Sequence, residues 1–443
     1  MRQVIKTWWP LAASWLLMGL EGPALSAVMA RMADPEINLA AYGGVVYPIV
    51  LIIESPIIML LAASTALSKD WSSYQRIKRF MLIAGATLTT IHLLIALTPA
   101  YYFVVRSLIK APEEIIEPAR MGLIILTPWS WAIGYRRFQQ GLLIRFGLSR
   151  AVGIGTAIRL IADGIGLAIG YALNSVSGVV VATAAQAAGV VSEAVYSGFR
   201  VRPIIRNQLK PAQSGPELTW RAFLIFYYPL ALTSFLSLFW QSLGAAAISR
   251  LPLALASLAI WPIVSGLIFI MRSFGFAYNE VVVALLGQHG SSRYLRKFSL
   301  GLCVTLLAVH LIVAATSAAQ FWFARVSALE VTLADMACVS FWLALPLPIL
   351  SVLISWYQGA IVFSQKTRAI PESLVIFFAA VLILLGIGVA WIDLPGIYIG
   401  MAAFSIATTM QTAWLFVRSR VIMRQVRERD AETSGLAVQP EFN

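Results

Sequence analysis

The sequence predicts an all-α polytopic membrane protein: twelve transmembrane helices arranged as two parallel six-helix repeats. Three observations predict it. Of 443 residues, 59% are hydrophobic and only 12% are charged, against about 45–50% and about 25% in an ordinary soluble domain. The apolar residues gather into long uncharged runs. The chain also matches itself when shifted by about 218 residues. This composition excludes a soluble globular enzyme and a disordered chain, and leaves a membrane-embedded enzyme open. Twelve spans of roughly 20 residues use about 240 residues, so no large soluble domain fits beside them.

The apolar runs fall near residues 8–32, 38–67, 79–105, 120–144, 150–173, 176–199, 222–249, 253–287, 298–324, 334–362, 369–392 and 395–417. Their length and lack of charge fit spans and not strands. The connections alternate in charge. Arg2 and Lys6 open the chain. The even-numbered loops carry the runs around Lys69–Arg79, Arg145–Arg150, Arg200–Arg221, Arg293–Lys297 and Lys366–Arg368, and the tail carries Arg418 to Arg429. The opposite side holds only Arg31, Arg106, Lys110, Arg120, Arg250 and Arg325. This asymmetry predicts a multi-pass protein of the cell (inner or plasma) membrane with both termini cytoplasmic. It accounts for the net charge of +13 without nucleic acid. The basic tail could bind anionic lipid or simply hold this orientation.

The first span has the basic start and apolar run of a signal peptide, but the repeat argues for mature protein. Trp8-Trp9-Pro10-Leu11-Ala12 resembles Tyr227-Tyr228-Pro229-Leu230-Ala231, and Tyr47-Pro48 resembles Trp261-Pro262. From His92/His310 through Pro128/Pro346, Gln140-Gly141/Gln358-Gly359 and Gly170/Gly388 to Arg200/Arg418 the offset stays at 218. Six spans per half is an even number, so the halves enter the membrane from the same side. Such repeats are related by an axis along the membrane normal, and transporters built from them hold substrate between the halves and rock them alternately. The expected organisation is a six-helix lobe over 1–200, a cytoplasmic linker over 201–221, a second lobe over 222–418 and a basic tail over 419–443. Intraspan prolines, notably the paired Pro48/Pro262 and Pro128/Pro346, fit either moving helices or static kinks.

Charges inside spans cost about 2.5–3.5 kcal/mol each and usually face a cavity or one another. They are Glu21, Glu54, Arg136, Arg137, Arg159, Asp163 and Arg272. Glu193 and Glu280 fall nearer the ends, where snorkelling or capping is expected. Arg159 and Asp163 are four residues apart and can pair along one helix. Arg136 and Arg137 point about 100° apart. They form either the wall of an anion-binding cavity, where guanidinium forks suit carboxylates and phosphates, or a pair that snorkels to headgroups. Glu21, Glu54 and Asp163 are candidate proton or cation sites, or partners for the arginines. His92 and His310 are repeat-related and read as neutral interhelical hydrogen-bond partners or proton relays. Cys303 and Cys338 sit in apolar runs and read as packing residues. No nucleotide-binding loop, nucleophile–base set or metal-binding motif is found, so no enzyme activity and no cofactor are expected.

The loop Ser68-Lys69-Asp70-Trp71-Ser72-Ser73-Tyr74-Gln75-Arg76 lacks the glycines of the major facilitator signature. Trp9-Pro10-Leu11 recurring as Tyr228-Pro229-Leu230, Glu54-Ser55-Pro56 running to Ser68-Lys69-Asp70, and the stretch from Gln140-Gly141 to Arg159-Leu160 resemble the multidrug/oligosaccharidyl-lipid/polysaccharide exporter superfamily. Leu39-Ala40-Ala41-Tyr42-Gly43 and Gly141-Leu142-Leu143-Ile144 resemble segments of its progressive ankylosis branch. The resemblance implies a V-shaped two-lobed carrier, a monomer, exporting small organic or phosphorylated anions. Related drug extruders are coupled to protons or sodium ions, and related flippases move lipid-linked pyrophosphate sugars. The main reading is therefore an exporter of a small anionic solute or anionic lipid. Arg136, Arg137, Arg272 and Arg159 are its substrate ligands, and Glu21, Glu54 and Asp163 its coupling sites. The alternatives are a lipid-linked oligosaccharide flippase and a proton-coupled multidrug extruder.

Overall fold

The computed structural model describes residues 2–211, 218–288, 290–364 and 368–433, with side chains to 430. The Ser214-Gly215-Pro216 part of the expected linker, Lys366 and the tail beyond residue 433 lie outside the described residues. Among the described residues every regular element is helical. Eleven helices among these residues are long and apolar enough to cross a membrane.

The fourth expected span is the exception. It is two helices, Ile116–Ile125 and Thr127–Arg145, meeting at Leu126. Pro128 lacks an N–H and starts the second piece, where a missing donor costs nothing. Arg136, Arg137, Gln139 and Gln140 give that piece its polarity. The second half breaks at the equivalent place, between Val331–Leu343 and Pro346–Phe363, with Pro346 opening the new helix.

The repeat is visible in the backbone and in side-chain bonds. Lys110 and Ala328, 218 apart, both take a left-handed φ, of 60° and 53°. The amide of Ala111 donates to the Val105 carbonyl, and that of Leu329 to the Phe323 carbonyl. His92 reaches the Leu123 carbonyl at 2.8 Å, and His310 the Phe341 carbonyl at 3.0 Å. Both rings are fully buried, so the histidines tie helices together in each half. One expected pairing is out of register. Left-handed Asp34 corresponds to Leu253, which places Pro262 opposite Gly43 and not Pro48. The wide π turn Tyr42–Val46 precedes Pro48, whereas Pro262 lies inside the uninterrupted helix Ala254–Phe276.

The described chain divides into two compact units, one of Met1–Pro23 with Ile263–Asn443, the other of Ala24–Pro262. In the second unit, Thr127–Arg145 packs against Leu60–Leu67, Trp71–Leu97 and Gly178–Ile204. Gly141 permits the first of these contacts. A Cβ there would lie 2.5 Å from Ser64 Cβ and 2.6 Å from the Leu61 carbonyl oxygen, and a backbone atom cannot rotate away. Its counterpart Gly359 meets Val282 Cβ at 2.7 Å. Overpacking of this kind costs about 1–3 kcal/mol. Gly141→Ala is therefore expected to lower the melting temperature of the detergent-purified protein. Gly153→Ala, with nothing within 4 Å of the new carbon, should leave it unchanged or raise it, because alanine is the better helix former. Equal shifts for the two would contradict this packing.

Candidate functional site

The unit Ala24–Pro262 holds a constellation of six buried or half-buried charges: Glu54, Arg136, Arg137, Arg159, Asp163 and Glu193. They come from four segments, with the broken helix Thr127–Arg145 in the middle.

Arg136 donates through Nη1 to Glu193 Oε2 in an ion pair whose side chains are 6% and 0% exposed. Gln140, one turn on, donates from Nε2 to Glu193 Oε1 at 2.8 Å. The Thr156 hydroxyl approaches the same oxygen at 3.5 Å. Gly155 leaves room for this carboxylate, since a Cβ there would sit 3.3 Å from Glu193 Cγ. Glu193 therefore neither snorkels nor caps, and that expectation is corrected. The helix from Gly178 runs on to Leu209, ten residues past the expected end, so Glu193 lies in its middle.

Glu54 ends the helix Tyr47–Glu54 and is 4% exposed. Its Oε2 accepts from the Trp129 indole Nε1 at 2.6 Å. The face of the same indole carries Arg159, whose Cζ is 5.2 Å from the ring centroid, a cation–π arrangement. Trp129, whose residue type suggests an interface belt, thus links a carboxylate to a guanidinium. Arg159 Nε lies 3.9 Å from Asp163 Oδ2, the expected pair along one helix. Asp163 is seated against Gly189, where a Cβ would be 1.7 Å from Oδ1. A larger residue at 189 would expel the carboxylate.

Arg137 is the member left over. Its Nε is buried without a hydrogen-bond partner, and among the described residues the side chain makes no ion pair. Glu54 and Glu193 are within its electrostatic reach. The two adjacent arginines thus part company, Arg136 committed to Glu193 and Arg137 uncommitted.

Arg272 lies in the other unit, on Ala254–Phe276, at the repeat position of Glu54. Its Cζ sits 5.0 Å from the Phe276 ring and 5.1 Å from the Phe404 ring. Its Nε is also buried without a partner, and no carboxylate pairs with it among the described residues. Glu21, half-buried on Arg2–Met29, belongs to this unit and not to the constellation around Glu54. Apart from Glu54, the charges of this constellation have no ionic counterparts in the second half. Arg136, Arg137, Arg159, Asp163 and Glu193 correspond to Ile354, Ser355, Phe377, Val381 and Gln411. Among the described residues no group of His, Cys, Asp or Glu is arranged to hold a metal ion.

No family model and no curated protein matches the sequence. Solved structures do. An inward-facing multidrug resistance MATE family transporter of the MOP superfamily superposes with a TM-score of 0.70 at 18% identity, covering 93% of this chain and 96% of that one. A MOP superfamily transporter from Pyrococcus furiosus, described as having a binding pocket of reverse polarity, gives 0.63 at 18% identity over 95% and 96%. The lipid II flippase MurJ, in an inward closed conformation, gives 0.62 at 14% identity over 96% and 94%. Each superposes over more than nine-tenths of its length. The chain therefore has the fold of the MATE transporters of the MOP superfamily.

Proposed function

We propose that the chain is a secondary transporter that works by alternating access and exports an anion. The observation that carries the anionic substrate is the distribution of partners among the buried arginines. Arg136 is held by Glu193 and Arg159 by Asp163, while among the described residues Arg137 and Arg272 keep guanidinium groups that no carboxylate pairs with directly. An unneutralised guanidinium at membrane depth is expensive unless it faces water or an anion. Its planar fork suits a carboxylate or a phosphate. Arg137 and Arg272, one in each unit, are accordingly the first substrate ligands, and Arg136 and Arg159, already engaged by carboxylates, follow them. Glu54 is the candidate coupling site for a proton or a sodium ion, because an indole N–H and not a guanidinium bonds it directly. Asp163 and Glu21 rank after it. The reading includes a monomer in the cell membrane with both termini cytoplasmic, as the basic loops suggest.

The fold likeness to MurJ favours one second reading, a flippase for a lipid-linked pyrophosphate, which would use the same two arginines. The test is thermal unfolding of the purified protein with citrate, ATP, pyrophosphate, polyprenyl pyrophosphate and a cationic dye. A ligand that binds only the folded state raises the melting temperature with concentration, equivalent to about 2.7 kcal/mol at 100 times Kd. A soluble anion that stabilises the protein supports the exporter, and stabilisation by the polyprenyl compound alone supports the flippase. Stabilisation by the dye alone would sink the anion assignment and make Glu21 and Glu54 the site.

A further inference from the structure

The unit containing Ile263–Asn443 holds a cavity of about 540 Å³ between the helices Ser291–Ala315, Pro346–Phe363 and Gly396–Thr433. Its walls divide by chemistry. One end carries Arg296, Arg420, Arg424 and Arg427. The remainder is largely apolar, built by Leu300, Cys303, Leu353, Trp356, Phe416 and Met423. Among the described residues no acidic side chain lines it. Arg424 is engaged by Glu428 at 2.8 Å. Arg296, Arg420 and Arg427 have no carboxylate partner among the described residues, and Arg420 lies over the Phe416 ring at 4.4 Å. A smaller cavity nearby, lined by Arg418 and Arg429, differs in this respect. There Arg418 pairs with Glu372 and Arg429 donates to the Leu286 carbonyl.

We propose that this cavity is a site for one anionic phospholipid, separate from the transported substrate. Leu300 and Phe416 are 67% and 41% exposed, so the apolar wall continues onto the outer surface of a helix bundle that this composition places in lipid. The arginines cluster at the end of the bundle where the basic loops gather, at headgroup level. Guanidinium groups bind phosphate oxygens two at a time, and an acyl chain fits along Leu300, Leu353 and Phe416. A zwitterionic lipid offers the same chain but no net charge to the three unpaired arginines. A free phosphate offers the charge but leaves the apolar wall uncovered. The first half is built differently. Gly198 stands at the position of Phe416, and the Tyr135 hydroxyl lies 2.4 Å from where a Cβ on it would be. A phenol there takes the space that the second half leaves open.

Native mass spectrometry of the full chain, released from detergent with equal phosphatidylglycerol and phosphatidylcholine, tests the site. We expect one retained phosphatidylglycerol in roughly 100-fold preference, from about 1 kcal/mol for each of three basic residues near a lipid surface at tenfold per 1.4 kcal/mol. The preference should vanish in R296Q/R420Q/R427Q and survive excess glycerol phosphate. Leu300→Trp, which keeps this exposed position apolar, should weaken retention independently by filling the wall along which the acyl chain lies. Equal retention of the two lipids, unchanged retention in both variants, or displacement by glycerol phosphate would overturn the proposal. Retention of a single lipid by R296Q/R420Q/R427Q with its preference intact would do the same.

Discussion

Glu193→Ala is expected to lower the stability of the protein by about 3–5 kcal/mol, the usual cost of leaving one partner of a buried ion pair uncompensated. Arg136, 5% exposed, would lose the carboxylate that neutralises it, and Gln140 would lose its acceptor. Removing both charges should undo most of the loss. Arg136→Met with Glu193→Met replaces the pair by apolar side chains of similar length, a change that is often neutral or stabilising for buried pairs. The comparison is read from melting temperature and from the monodisperse fraction on gel filtration in detergent. If Glu193→Ala melts with the wild type, Arg136 is not held by this partner and the separation of Arg136 from Arg137 collapses. If the double variant is as poor as the single, the cost lies in packing and not in charge.

Arg137→Ala and Arg272→Ala are expected to reduce anion flux into or out of proteoliposomes by roughly 30- to 4,000-fold. Truncating one partner of a desolvated charge pair costs about 2–5 kcal/mol, and each 1.4 kcal/mol is tenfold. Neither side chain makes a direct ion pair among the described residues, so both variants should cost less stability than Glu193→Ala, which strands Arg136. The lysine variants discriminate further. Arg137→Lys keeps the charge but not the planar fork, so it should recover flux of a monovalent anion better than flux of a phosphorylated or tricarboxylic one. Exposed Arg293 serves as the control for general loss of positive charge. Wild-type flux in Arg137→Ala and Arg272→Ala alike would remove both from the substrate path.

These two predictions treat Arg136 and Arg137 in opposite ways, although they are neighbours of the same type. Their sequence spacing says only that they diverge by about 100°. Which one meets an acid depends on Glu193, and its depth was hidden by the basic run Arg200-Val201-Arg202-Pro203. That run reads as a loop. In the structure it is helix, with Pro203 accommodated ahead of the π turn Ile205–Leu209, so Glu193 shifts from a span end to mid-helix. The role of Trp129 is likewise hidden in the sequence. Tryptophan is common at membrane interfaces, and nothing in its neighbours along the chain announces that its N–H reaches Glu54, 75 residues away.

The sequence by itself determined the all-helical class and the repeat. Hydrophobic length and a constant offset are properties of the chain read in one dimension, and the paired histidine bonds and the left-handed turns at Lys110 and Ala328 follow that offset residue for residue. It also determined which charges are anomalous, because a charge in a long apolar run is costly wherever the helix packs. The tertiary structure alone decided their partners. Opposite charges meet by way of helix faces, the break at Leu126, and the room left by Gly155 and Gly189. One missing Cβ decides whether a carboxylate fits beside a helix at all, and such short-range contacts leave no periodic signal along the chain.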